Sequence, residues 1–130
     1  MKKLALLALC ASAAALFSGC SSIEKSTKFS GLSITENRSV PVAHINGKVT
    51  GIYLFNTVPI FSGNTYAIGK CAFMKDTLNI EDAIKMVTRT ARGYGATKIV
   101  DLHSEYEETW LWPTLIFWER EINVSGNAIK

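Results

Sequence analysis

The stretch Asn79-Ile-Glu-Asp-Ala-Ile-Lys-Met-Val-Thr-Arg-Thr-Ala-Arg92, running on through Gly93-Tyr-Gly-Ala-Thr-Lys-Ile-Val-Asp-Leu102, decides the fold. Ile80, Ala83, Ile84, Val87 and Ala91 recur at helical spacing and predict one amphipathic helix over 79–92. Asn79 offers a side-chain acceptor to the free amides of the first turn, and Glu81 and Asp82 suit the positive end of the helix dipole. Arg89 and Arg92 suit the last turn, and Gly93 and Gly95 can take the positive φ at which a helix stops. The other face, with Asp82, Lys85, Thr88 and Arg89, reads as solvated. Ile99, Val100 and Leu102 then open a strand over 97–108.

On both sides of this unit the period changes to two. In Val40 to Asn56, Val49, Gly51, Tyr53 and Phe55 share one face, and Thr50, Ile52, Leu54 and Asn56 share the other. That predicts a strand with both faces partly buried. Asn46-Gly47 is a hairpin-turn dipeptide, a place where this stretch can divide in two. Residues 58–64 read as a loop because Pro59 cannot donate to a sheet ladder, and 65–74 as a further strand or an irregular segment. After a connection at 109–114, residues 115–124 return as a strand. Ile116, Trp118, Arg120, Ile122 and Val124 lie on one of its faces, and Phe117, Glu119, Glu121 and Asn123 on the other. Strands, one helix and then a hairpin predict an α+β fold: two layers, a mainly antiparallel sheet with one helix packed on one face.

The start of the chain speaks to location. Lys2 and Lys3 precede an apolar run from Leu4 to Phe17, followed by Ser18, Gly19 and Cys20. This is the layout of a secretory signal peptide, and the run is too short for a membrane span of ~20 residues. Phe17-Ser18-Gly19-Cys20 resembles the cleavage box of bacterial lipoproteins, with Phe17 in place of the usual Leu. The resemblance implies removal of residues 1–19 and a diacylglycerol and a further acyl chain on Cys20, with no other cofactor. Two or more chains anchor stably where one is marginal. Ser21, in place of the Asp that marks inner-membrane retention, implies the outer membrane, facing the periplasm. Residues 20–39 are rich in Ser and Thr and read as a lipidated Cys and flexible tether. Leu32 and Ile34 offer a short edge strand at its far end. Residues 40–130 form a single domain.

Fourteen Lys and Arg stand against eleven Asp and Glu. Lys2 and Lys3 leave with the leader, so the remaining chain is near balance and carries no electrostatic footprint for nucleic acid. Of the three cysteines, Cys10 leaves, Cys20 is the lipid site, and Cys71 reads as a small buried hydrophobe in an apolar stretch.

The rhythm of Ala83 to Leu102, a helix running through Gly95-Ala96 into Ile99-Val100-Asp101, is similar to that of small Gram-negative envelope lipoproteins, the TRL-like lipoproteins among them. The strand opening Leu115-Ile116-Phe117-Trp118 and the closing residues 124–128 are similar in style. The resemblance supports fold and compartment. It transfers no catalytic residue.

Two groups of side chains can carry function. Trp110 and Trp112 flank a turn, with Glu107 and Glu108 beside them. Exposed Trp is a favoured anchor for a partner, and the acids favour a protein or a basic ligand over an anionic lipid surface. The second group is Asp101, His103, Glu105 and Glu107, which share a face at strand period. Same-face neighbours there are roughly 7 Å apart, so a divalent metal needs help from His44, Glu119 or Glu121. No nucleophile elbow, His-Glu-x-x-His, phosphate loop or Cys-x-x-Cys is present. The expectation is a non-enzymatic lipoprotein anchored in the membrane, with a small interaction domain for an envelope protein partner. The alternative is a ligand- or metal-binding module on the His103 face.

Overall fold

The computed structural model describes residues 21–27, 40–112 and 116–130. The leader, Cys20 and residues 28–39 of the expected tether lie outside the described residues, as do 113–115. In chain order the elements are β1 (Ser22–Ser26), β2 (Pro41–Leu54), β3 (Val58–Gly63), β4 (Cys71–Phe73), α1 (Ile80–Gly93), β5 (Lys98–Trp110) and β6 (Phe117–Ile129). The six strands form one antiparallel sheet in the order β4-β3-β2-β6-β5, with β1 also on β2. The α+β architecture and its strands–helix–hairpin order are those expected.

β2 is the spine. One edge pairs with β6 along nearly its whole length. The other edge is shared: His44–Lys48 pair with β1, and Gly51–Leu54 with β3. Ser22–Ser26, within the stretch read as tether, is therefore strand, because β3 leaves half of that edge open for it.

Asn46-Gly47 does not turn. It lies in the middle of β2, and the turn falls at Phe55-Asn56, whose φ values of 50° and 55° and Thr57 N–H to Leu54 carbonyl bond of 3.1 Å make a type I′ turn. Gly47 serves packing instead. A Cβ there would meet Val87 Cγ2 at 2.7 Å and Met86 Cε at 3.0 Å, so a glycine lets the helix close on the sheet. The expected loop at 58–64 is mostly strand. Pro59 is tolerated in β3 because β4 pairs only with Phe61–Gly63, leaving Pro59 on an edge. The register against β2 also shifts beside it.

α1 starts as read: Asn79 Oδ1 accepts from the Glu81 amide at 2.8 Å. Its buried stripe is Ala83, Met86, Val87 and Ala91, while Ile80 is exposed. That stripe meets Ala43, Ile45 and Val49 of β2 and Ile122, Val124 and Ala128 of β6. Each buried Ile, Val or Met side chain contributes about 1.5–3 kcal/mol. The opposite sheet face carries His44, Asn46, Lys48, Glu121 and Asn123, and no described helix lies on it.

Candidate functional site

α1 covers only part of its sheet face. Beyond it, towards the β2–β3 turn, Tyr53 and Arg120 continue the same stripe of side chains. The Arg120 guanidinium lies 4.4 Å from the centre of the Tyr53 ring. Its Nε donates to Asn56 Oδ1 at 2.9 Å and its Nη2 to the Asn56 carbonyl at 2.6 Å. Nε also lies 3.1 Å from Glu108 Oε1. Tyr106 Oη donates to the same Glu108 oxygen, and Asn56 Nδ2 donates to Glu108 Oε2 at 3.0 Å. Tyr53 Oη donates to Asp76 Oδ1 at 2.7 Å. These bonds tie the β2–β3 turn, β5 and β6 into one end of the sheet.

The electrostatics follow. Hydrogen bonds from Tyr106 and then Asn56, with the charge of Arg120, hold the Glu108 carboxyl below the usual carboxylate range. Burial, then the hydrogen bond and charge of Asp76, push the Tyr53 phenol far above the usual tyrosine range.

At this end stand the aromatic candidates. Trp110 is 41 % exposed and Trp112 is 72 % exposed, and their rings meet edge to face at 5.3 Å. Trp110 pairs across the strands with Trp118. Phe55, 65 % exposed, is fastened to the same end by the hydrogen bond that its N–H donates to the Ile116 carbonyl. The expected grouping of Glu107 and Glu108 with the tryptophans is divided. Successive strand residues point to opposite faces, so Glu107 stands on the open face opposite Glu121. Glu108 is spent on Arg120, Asn56 and Tyr106.

The second group is altered by a bulge. Between Val100 and His103 the ladder shifts, and Asp101 takes φ 53°. Its carboxylate accepts from Asn127 Nδ2 at 3.0 Å, and Asn127 Oδ1 meets His44 Nδ1 at 2.7 Å. His103 Nε2 lies 3.2 Å from Glu105 Oε1. His44, Lys48, His103, Glu105, Glu121 and Asn123 do line one shallow polar trough, with Lys48 on Glu121 at 2.7 Å. Among the described residues no three His, Cys, Asp or Glu side chains converge as metal ligands.

Cys71, expected as a buried thiol, is half-buried at the start of β4 and disulfide-bonded. The chain's other cysteines, Cys10 and Cys20, lie outside the described residues. Tyr53, Asn56 and Asp76 were not read as site residues. Their signal is an arginine on an apolar stripe: Arg120 lies between Trp118 and Ile122, where a charge needs partners. No described helix is long and apolar enough to cross a membrane. No protein-family model, curated protein or solved structure matches this chain.

Proposed function

We propose that the chain is a non-enzymatic lipoprotein, held by lipid on Cys20 in the outer membrane and facing the periplasm, whose domain offers its aromatic end to an envelope protein. The observation that carries the domain's part is that Trp110, Trp112 and Phe55 stay exposed at one end of the sheet while Arg120, Asn56 and Glu108 hold that end in one shape. A pre-ordered aromatic patch loses little entropy on binding. The anchor stands elsewhere. Ser22 pairs with Lys48, six residues before the end of β2, which is roughly 20 Å along the strand. That separation favours a protein over the bilayer as the occupant of the tryptophan end. The other reading, a metal or ligand module in the trough of His44 and His103, has no converging ligand set among the described residues behind it.

The anchor is tested by mass. The mature N-terminal peptide should begin at Cys20 and carry a diacylglycerol and an acyl chain; an unlipidated peptide sinks the anchor. One sulfur cannot hold both a thioether and a disulfide. With residues 1–19 removed and lipid on Cys20, Cys71 in the mature protein must be reduced or bridged to a sulfur outside its own chain, which alkylation before and after reduction reads directly. The partner surface is tested by crosslinking in intact envelopes. A protein crosslinked to the wild type should be lost with Trp112→Ala while the variant's melting temperature stays unchanged. Retention of that crosslink in a folded variant rejects the assignment.

A further inference from the structure

The residue after the lipid site is not free. Ser21 is 2 % exposed. Its Oγ donates to the Asn64 carbonyl at 2.6 Å, and its own carbonyl accepts from the Gly69 amide at 2.9 Å. Both partners belong to the β3–β4 loop, Asn64 to Lys70. Consecutive Cα atoms are about 3.8 Å apart, so the covalent attachment of Cys20 is to a residue that this loop itself holds.

The loop itself is braced. Asn64 Oδ1 accepts from the amides of Tyr66 at 2.8 Å and Ala67 at 3.1 Å, as in an Asx turn. The Asn64 amide donates to the Lys70 carbonyl and the Lys70 amide to the Ala67 carbonyl. Thr65 is buried beneath it. Yet the braced loop turns Tyr66 and Ile68 outward, 66 % and 53 % exposed, with Lys70 exposed beside them. Arg89 stands 5.3 Å from the Tyr66 ring. Asp82 accepts from Tyr66 Oη at 3.4 Å and is paired with Lys85 at the same distance, and Lys85 pairs more closely with Glu81, at 2.7 Å.

From this we infer that the Asn64–Lys70 loop is the surface on which the domain rests against the bilayer, with Ile68 in the acyl boundary, Tyr66 at the headgroups, and Lys70 and Arg89 towards lipid phosphates. The inference rests on the reading of Cys20 as the lipid site. Cys20 is covalently joined to Ser21, whose carbonyl is held by the Gly69 amide, so an acyl chain on Cys20 tethers this loop to the bilayer through a short covalent link. The loop's side chains match that place. Tyrosine favours the headgroup layer, a lysine stem lies along apolar surface with its charge in water, and cations meet anionic lipid. A covalent anchor then fixes orientation as well as location, leaving the tryptophan end free.

The test uses the full lipidated protein in vesicles of phosphatidylethanolamine with phosphatidylglycerol. Benzoylphenylalanine is placed singly at Tyr66, Ile68 or Phe55, and phospholipid adducts are measured by mass spectrometry after irradiation. Adducts at positions 66 and 68 should exceed those at 55 several-fold. Equal or greater yield at 55, in a protein whose Cys20 peptide carries its lipid, overturns the resting surface and leaves the anchor standing. A Cys20 peptide without lipid overturns both. A retained melting temperature in each variant excludes misfolding as the cause of a low yield.

Discussion

One face of the sheet is built in two ways. Near the start of β2 it is apolar: Ala43, Ile45, Gly47 and Val49 face Ile122, Val124 and Ala128, and α1 closes over them. Near the end of β2 the same two strands present Tyr53 and Arg120, and no described helix lies over them; Tyr53 is buried by the Arg120 guanidinium and the Asp76 segment instead. A face under a helix needs small and branched side chains that fill volume. A face without one must cover itself with groups that tolerate water at their edges, and a stacked arginine with satisfied donors does so. The first half supplies the fold. The second supplies the firm end from which Phe55, Trp110 and Trp112 project.

The sharpest way to break this comparison is Gly47→Val. Its side chain has no room beneath Val87 and Met86, and overpacking costs about 3 kcal/mol. The denaturation midpoint should fall steeply, and an unchanged midpoint means that the helix does not close on β2 there. Arg120→Met attacks the other half. It removes two hydrogen bonds to Asn56 and the stack on Tyr53, a loss of about 2 kcal/mol. It should also loosen the β2–β3 turn, read as faster amide exchange at Phe55. Tyr53→Phe keeps the stack and removes one hydrogen bond to Asp76, an exposed acid that water can satisfy. The expected loss is about 1 kcal/mol. If Tyr53→Phe costs as much as Gly47→Val, the two halves are not different in kind.

Acid separates them further. The folded Glu108 carboxyl is held below its unfolded value. Its contribution is therefore present above the unfolded carboxylate range and is lost as pH falls through the lower folded one. The melting temperature should decline on acidification, with a shallower decline in Glu108→Gln. Matching acid limbs in the two proteins would remove Glu108 from the network. The smallest change is Trp112→Ala, which should move stability by no more than ~0.5 kcal/mol because the ring is mostly in water; on the proposed function, its effect is read in the crosslink instead.

Several elements were legible because their signals are local. Asn79 as cap and the stripe Ala83, Val87, Ala91 need only helical spacing, and Ile122 and Val124 need only strand parity. Placing Arg120 on the apolar face was already correct by parity. What it binds was not legible, because Asn56 is 64 residues away in the chain and no periodic pattern reports that separation. Asp101, His103 and Glu105 were given a regular spacing that the bulge at 101 interrupts, and a bulge depends on the partner strand. Glu107 and Glu108 were grouped by adjacency, although parity alone divides them.

Sequence alone specifies α1 with its N-cap, the succession of strands, helix and hairpin, and the face alternation of β6, since each follows from the backbone period and the polarity of nearby residues; it does not specify β1, β3 or the break in alternation at Asp101. The tertiary structure decided where turns fall and which side chains meet. Asn46-Gly47 has the chemistry of a turn, but Gly47 is buried beneath α1, where the absence of a Cβ matters more than the freedom of φ. Phe55-Asn56 turns instead, held by Arg120 and the Ile116 carbonyl. Local preferences amount to about 1 kcal/mol per residue, and long-range packing and pairing outweigh them where the two conflict.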